Sequence, residues 1–302
     1  MASEVLHIVV VFNGLKWLPQ LVESVQASGT GEVWAIDHGS TDGSWEWLTT
    51  HLSKPNCRQG PNDGFGSGNN RGMEEALRRG VDAVHLLNQD ARVDPEGMNV
   101  LANWVVQRER EGHTLEVVSP IHWDWKGEEP YRHFDQRYAP QWRDHKEPFE
   151  VPFVHAASWL MTLNTVRQVG GFNPAFFMYG EDNEWAHRLK KVGGAFVIHP
   201  DGALYHDEKS KPWPKPVILE RMAFAAEVTG FFDGQETAST WLRGARKRSL
   251  SRALHPDRWL DTLTGSMWQG ERAAMRRVRE DIHSWEASRG DLASQTVPHL
   301  NP

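Results

Sequence analysis

Cysteine is almost absent: Cys57 is the only one in 302 residues. No intramolecular disulfide can form, and the chain reads as one kept in a reducing compartment. No uninterrupted apolar run is long enough to cross a bilayer. The start, Met1-Ala2-Ser3-Glu4, lacks the basic residues and apolar stretch of a secretory signal. These absences point to a cytoplasmic protein, with contact at the inner membrane surface left open. There is no internal repeat, no low-complexity stretch and no Gly-Lys-Ser/Thr phosphate loop. A dinucleotide fingerprint is excluded too. After Gly66-Ser67-Gly68 the third glycine position holds Arg71, and the segment follows the third expected strand, not the first.

What is abundant is tryptophan, with fifteen residues. An indole stacks on sugar or base rings, and it also fills cores and interfaces. A hydrophobic share of 39% beside 24% charged residues describes a globular chain. The net charge of −7 hides an asymmetry, because the segment 243–279 carries ten Arg and Lys against three acidic residues. Such a run is either a solvated helix face or a contact for phosphates of an acceptor, a nucleic acid or lipid headgroups.

The first half alternates between two periodicities. Apolar β-branched strands are expected over 5–12, 32–37, 56–59 and 83–87, with helical spacing over 15–27, 45–51 and 76–79 between them. Four strand–helix units in succession predict a mostly parallel central sheet with helices on both faces. The glycine-rich stretch 62–72 is expected as a flexible turn. A helix over 99–110 and a strand over 115–120 follow. Then 121–150 changes character, with Trp123, Trp125, Tyr131, Phe134, Tyr138 and Trp142 among many charges, and is expected to be a long loop or lid. Strands return over 151–163, 195–199 and 203–205, with a helix from Glu181 to about Val192. From Lys215 the pattern is helical, broken at Pro256 and Gly265. The chain divides into 1–120, 121–210 and a helical extension over 211–302.

Candidate chemistry gathers at strand ends, where open α/β sheets place ligands. His85-Leu86-Leu87-Asn88-Gln89-Asp90 runs an apolar strand into a carboxylate suited to a divalent cation that holds a diphosphate. Capping of the next helix is the plainer role for such an acid. Asp37 ends the second strand, where it can accept from a pyrimidine N–H or a ribose hydroxyl, or cap its own turn. Asn62, Asn69 and Asn70 put amides in the glycine-rich stretch, where a ribose or phosphate can come close. Glu181 and Asp182 open a helix, so that one can cap while the other faces a cleft as a general base. His206, at a strand end, is a metal ligand or a polar terminus.

Taken in order, these segments resemble the inverting glycosyltransferases of family 2. The matching pieces are Val9-Val10-Val11-Phe12-Asn13, Asp37-His38-Gly39-Ser40-Thr41-Asp42-Gly43-Ser44, Gly64 to Gly72, Leu87-Asn88-Gln89-Asp90, and Gly170-Gly171-Phe172 through Glu181-Asp182 to Arg188. The likeness is greatest to bacterial rhamnosyl- and galactofuranosyltransferase-like members. It implies a Rossmann-like fold of the glycosyltransferase A type, with 1–120 as the donor half and 121–210 as the acceptor and catalytic half. It also implies a UDP- or dTDP-sugar donor seated by Val11, Asn13, Asp37, Asn69, Asn70, Asn88 and Asp90. Asp90 and His206 would hold Mg²⁺ or Mn²⁺, and Asp182 would be the base with Glu181 beside it. Asn88 departs from the first aspartate of many members. Trp123, Trp125 and Trp142 are expected to form an acceptor platform for a glycan or glycolipid. A nucleic-acid acceptor and a non-catalytic nucleotide- or glycan-binding relative are the alternatives, and the basic segment suggests peripheral membrane contact.

Overall fold

The computed structural model describes residues 3–113, 115–132, 134–138, 140, 142–207, 215–233, 237–254 and 262–280. Strand β1 (Val5–Val11) sits inside the sheet and is apolar on both faces. Leu6 and Ile8 enter one core cluster, while Val5, Val9 and Val11 enter the other. That alternation is the two-residue period of a strand covered on both sides. β2 (Gly31–Asp37), β3 (Cys57–Gln59) and β4 (Ala83–Leu87) complete a parallel half, with β1 paired to both β2 and β4.

The second half of the sheet is mixed. β8 (Ser158–Thr162) runs antiparallel to both β4 and β6 (Glu116–Asp124). β9 (Ala195–His206) is parallel to β6, and β5 (Ala91–Val93) and β7 (Phe149–Val151) pair with it antiparallel. The strand order is β3-β2-β1-β4-β8-β6-β9-β5, with β7 also on β9. The sheet is mostly parallel, as expected: β6 and β9 run in the direction of the first four strands, and β5, β7 and β8 run against them. The two short strands expected over 195–205 are one strand, kinked where its register with β6 shifts beyond Pro120.

Helices α1 (Leu18–Ser28) and α4 (Pro95–Arg110) cover one face, after α2 (Ser44–His51) at the β2 end. The other face carries α3 (Phe65–Arg79), α5 (Leu163–Val169) and α6 (Glu181–Lys191). The glycine-rich stretch is thus helix from Phe65 onward, not a flexible turn. Its glycines let α3 lie close to β1: a methyl at Gly72 would meet Ile8 Cγ2 at 2.3 Å. Tight packing outweighs glycine's poor helix propensity there.

The expected long loop runs between β6 and β7, and only the ends of 121–150 lie in strands. β6 continues to Asp124, Trp123 bridges Pro130, and a π turn at Phe134–Tyr138 and a 3-10 turn at Trp142–Asp144 lead into β7. The helical extension comprises α7 (Lys215–Asp233), α8 (Ala238–Ala253) and α9 (Thr262–Glu280). Phe176 from the main body joins Val228, Phe231, Trp241, Ala274 and Val278 in its core. α9 runs through Gly265, where a break was expected, and Pro256 lies outside the described residues. Among the described residues no helix is long and apolar enough to cross a membrane.

One buried polar chain crosses the sheet. His7 Nδ1 lies 2.9 Å from His85 Nδ1, His7 Nε2 meets Thr30 Oγ1 at 2.9 Å, and His85 Nε2 meets Ser158 Oγ at 2.8 Å. Burial holds both imidazoles below their usual range, His85 at about 3. The unfolded chain therefore binds more protons than the folded one below pH about 6.5, and stability falls as the pH drops through this window. The urea midpoint should decline from pH 7 to pH 4. His85→Leu should flatten that decline while costing about 1–3 kcal/mol at pH 7, because His7 and Ser158 lose a partner. Parallel curves for the two proteins would contradict this origin of acid sensitivity.

Candidate active site

β4 ends in the turn Asn88-Gln89-Asp90, closed by Ala91 N–H donating to the Asn88 carbonyl at 3.2 Å. β5 then pairs with the last residues of β9, Ala91 opposite His206, and Asp207 N–H donates to the Asp90 carbonyl at 2.9 Å. This brings His206 Nε2 to 3.2 Å from Asp90 Oδ1 across 116 positions of sequence. His206 is buried, whereas the Asp90 side chain is 26% exposed. Rings wall the pair. The Tyr131 and His155 centroids lie 5.6 and 6.2 Å from that of His206, and His122 lies 5.1 Å from His155. Among the described residues no group of three or more His, Cys, Asp and Glu side chains is arranged to hold a metal. Asp90 and His206 offer two donors.

Neighbouring loops are pinned to this turn. Asn88 N–H donates to the Ala157 carbonyl at 3.0 Å. Gln89 clamps the end of β1: its Oε1 accepts from Phe12 N–H at 2.8 Å and its Nε2 donates to the Phe12 carbonyl at 3.1 Å. Asp207, just past His206, accepts from Trp17 Nε1 at 2.9 Å and Lys16 Nζ at 3.1 Å.

At the end of β2, Asp37 is fully buried and does two things. Oδ1 caps the turn, accepting from Gly39 and Ser40 N–H at 3.0 Å each, with Gln59 Nε2 at 3.4 Å. Oδ2 is buried without a hydrogen-bond partner. Such an oxygen is costly unless a ligand completes it. Val11 is a core residue whose carbonyl accepts from His38 N–H at 2.8 Å. Asn13, with φ 51°, accepts Thr41 N–H on its side-chain oxygen at 2.9 Å and so ties the loops after β1 and β2. His38 is buried 3.6 Å from Asp63, which Arg71 grips through both terminal nitrogens. Burial outweighs Asp63 and keeps its imidazole below the usual range.

Asn69 and Asn70 lie in the opening turns of α3. Asn69 donates to the Phe65 carbonyl at 3.0 Å. Asn70 makes a two-way bond to the Phe172 backbone, at 2.7 and 2.8 Å. Asn69 thus bonds within α3, and Asn70 fastens α3 to the Gly170–Phe172 loop, which α6 also holds. Trp185 Nε1 donates to the Gly170 carbonyl, and Arg188, paired with buried Glu184, donates to the carbonyls of Val169 and Gly171.

That frame positions Glu181 and Asp182. Tyr179 and Gly180, with φ 71° and 89°, turn the chain into α6, and a methyl on Gly180 would strike Ala225 of α7 at 2.6 Å. A tyrosine in the left-handed region is strained, as functional turns often are. Glu181 is buried, with Oε2 lacking a hydrogen-bond partner. Burial and the adjacent Asp182 push its carboxyl up to about 8. Asp182 is raised as well, by burial, but hydrogen bonds from the Asn183 and Ala156 backbone oppose the shift. Two adjacent carboxylates, one of them buried, do not both ionise readily. The charge is better held on Asp182, which has the N–H donors, and the proton on Glu181. The Ala156 contact also sets Asp182 beside the loop that carries His155, next to His206.

The glycosyl transferase family 2 model matches residues 7–170 of this chain, more than half of it. The chain belongs to glycosyl transferase family 2. Among solved structures it is similar to that of GalNAc-T7 with UDP, GalNAc and Mn²⁺, with a TM-score of 0.57 at 16% identity, over 94% of this chain and 58% of that one. S. aureus TarS gives 0.54 at 15% identity, over 96% and 55% of the two chains. TarS 1–349 gives 0.52 at 13% identity, over 94% and 92%. At these identities the likeness is one of fold. This family 2 chain spans little more than half the length of the first two. No curated protein matches it.

Trp123 and Trp142 meet edge to face at 5.7 Å, and Trp142 Nε1 donates to Asp135 at 2.9 Å. Trp125 instead lies against Arg92 of β5, which donates to its carbonyl at 3.1 Å. Sequence reading missed Gln89, Tyr131, His155 and the Asp63–Arg71 pair. Gln89 sits between two singled-out residues, and His155 lies in the loop that leads into β8. Those positions are the signals that could have found them.

The Glu181 shift has a measurable consequence. Between pH 4.5 and about 8 the folded chain retains a proton at Glu181 that the unfolded chain has released, so this group's contribution to stability falls as the pH rises, opposing that of His7 and His85 below pH about 6.5. Glu181→Gln should remove that slope and exceed the parent at pH 8 by on the order of 2 kcal/mol. Denaturant titrations at several pH values test this, and equal slopes in parent and variant would refute it.

Proposed function

We propose that this family 2 chain transfers a sugar, with inversion, from a nucleoside diphosphate donor of the UDP or dTDP kind to a hydroxyl of a glycan or glycolipid. The carrying observation is the meeting of Asp90 and His206 past the ends of β4 and β9, with the unpartnered Asp37 oxygen at the end of β2 and Asp182 at the start of α6. A carboxylate oxygen beside an imidazole nitrogen suits Mg²⁺ or Mn²⁺, and two protein donors leave positions for diphosphate oxygens. The similar GalNAc-T7 structure is described with UDP and Mn²⁺. Asp90 and His206 would hold the cation, whose charge would offset that building on the departing diphosphate.

The protein's own groups account for the rest. Asp37 Oδ2 accepts an N–H of the base or a ribose hydroxyl. Asp182 takes the proton of the acceptor hydroxyl while that oxygen bonds to the anomeric carbon from the face opposite the diphosphate. The bond from that carbon to the diphosphate breaks, and its electron pair leaves with the diphosphate. One displacement inverts the centre and needs no covalent intermediate. Glu181, protonated, keeps a second negative charge out of the cleft. Trp123 and Trp142, partly exposed beyond Tyr131, are the proposed acceptor contacts. The rhamnosyl- or galactofuranosyl-like donor preference belongs to this reading, and a donor panel read by product mass tests it.

Asp182→Asn keeps size and polarity but removes proton acceptance. Transfer should fall by about 10²–10⁴-fold while donor affinity stays within a few-fold. If Glu181→Gln abolishes transfer and Asp182→Asn does not, the roles are reversed. Asp37→Asn retains a turn-capping oxygen and replaces the other with a donor. Its dissociation constant for the nucleoside diphosphate should rise by the equivalent of about 1–3 kcal/mol. Unchanged affinity in calorimetry would leave Asp37 as a turn cap alone.

A further inference from the structure

α8 contains no acidic residue and presents two unlike faces. Trp241, Ala245 and Ser249 are buried, with Trp241 and Ala245 in the core of the helical extension. Arg248 flanks them, bound to Glu227 of α7 at 2.6 Å. On the other side Arg243, Arg246, Lys247 and Leu250 are exposed, and Leu254 follows one turn on, its N–H donating to the Leu250 carbonyl at 3.0 Å. Spacings of three, four, seven and eleven residues from Arg243 put all five on one stripe. Leu250 is 60% exposed and Leu254 75% exposed. Among the described residues no carboxylate pairs with Arg243, Arg246 or Lys247.

We propose that this stripe seats the protein on an anionic lipid surface, with α8 lying in the plane of the headgroups. Three cations complement negative headgroups, and their alkyl stems reach over apolar surface while the charges stay in water. The two leucines meet the acyl boundary, as in helices that lie on membranes. A polyanion such as a nucleic acid would satisfy the cations and leave both leucines in water. A second copy of the stripe would bring like charges together. The inference concerns a surface apart from Asp90, His206 and Asp182, and it stands whatever the acceptor is.

Co-sedimentation of the full chain with vesicles tests it. Binding is expected to vesicles of phosphatidylcholine mixed with phosphatidylglycerol, and not to phosphatidylcholine alone. Near an anionic surface each cation removed should weaken binding about fivefold, so joint replacement of Arg243, Arg246 and Lys247 by Gln should cost on the order of a hundredfold. Leu250→Ser with Leu254→Ser should weaken binding on its own. Far-UV circular dichroism and donor turnover should match the parent for both variants. As an independent readout, a polarity-sensitive dye on Leu254→Cys should shift to the blue with anionic vesicles only. The native Cys57 is buried. Absent or equal binding to both vesicle types, an unshifted dye, or preference for an oligonucleotide over anionic vesicles would overturn the proposal.

Discussion

The candidate site depends on one backbone pairing, the three-residue antiparallel contact of β5 with the end of β9. Asp90 leaves the central parallel strands and His206 ends a strand two-thirds of the way along the chain. Neither residue's own segment brings it to the other. The hydrogen bonds around Ala91 and Asp207 do, and the result is a carboxylate and an imidazole 3.2 Å apart at the sheet edge. So short a pairing holds little energy of its own. It is buttressed by Trp17 and Lys16 on Asp207, by Gln89 on Phe12 and by Asn88 on Ala157. These contacts draw the ends of β1, β4, β8 and β9 into one rim.

The same economy governs the acidic pair at the start of α6. The glycine turn preceding it lies under α7, and the helix is anchored through Trp185 and Arg188 to the loop that Asn70 holds from α3. Several residues that look like ligand contacts are therefore the frame, while atoms left unpartnered inside it, Asp37 Oδ2 and Glu181 Oε2, mark where chemistry is available. The cost of burying such atoms is a physical argument that the cleft is built for something polar.

Much of this was legible in the sequence, unevenly. The four parallel strands, the carboxylates at their ends and the helical extension follow from hydrophobic period and strand-end placement. The direction of β8 does not, because a fully buried strand such as Ser158–Thr162 reads the same either way. β5 is too short to show a period. Glycines at 64–72 read as a loop because local propensity says so, yet Gly68 and Gly72 serve close packing of α3 on β1. Asn69 and Asn70 look like ligand amides until the helix turns them onto the Phe65 and Phe172 backbone. The polar residues of 121–150 suggest a long loop, and among the described residues the stretch between β6 and β7 is loop with two short helical turns.

On the proposed function, β5–β9 pairing makes Asp90 and His206 one cation-and-diphosphate seat. Electron paramagnetic resonance of Mn²⁺ titrated into the protein with UDP addresses it directly, using Asp90→Ala, His206→Ala and the double variant. If the two residues act together, each single change should remove most of the UDP-dependent bound signal, and the double change should add little. A bound signal that survives either single substitution, or losses that simply add, would contradict a shared seat at Asp90 and His206.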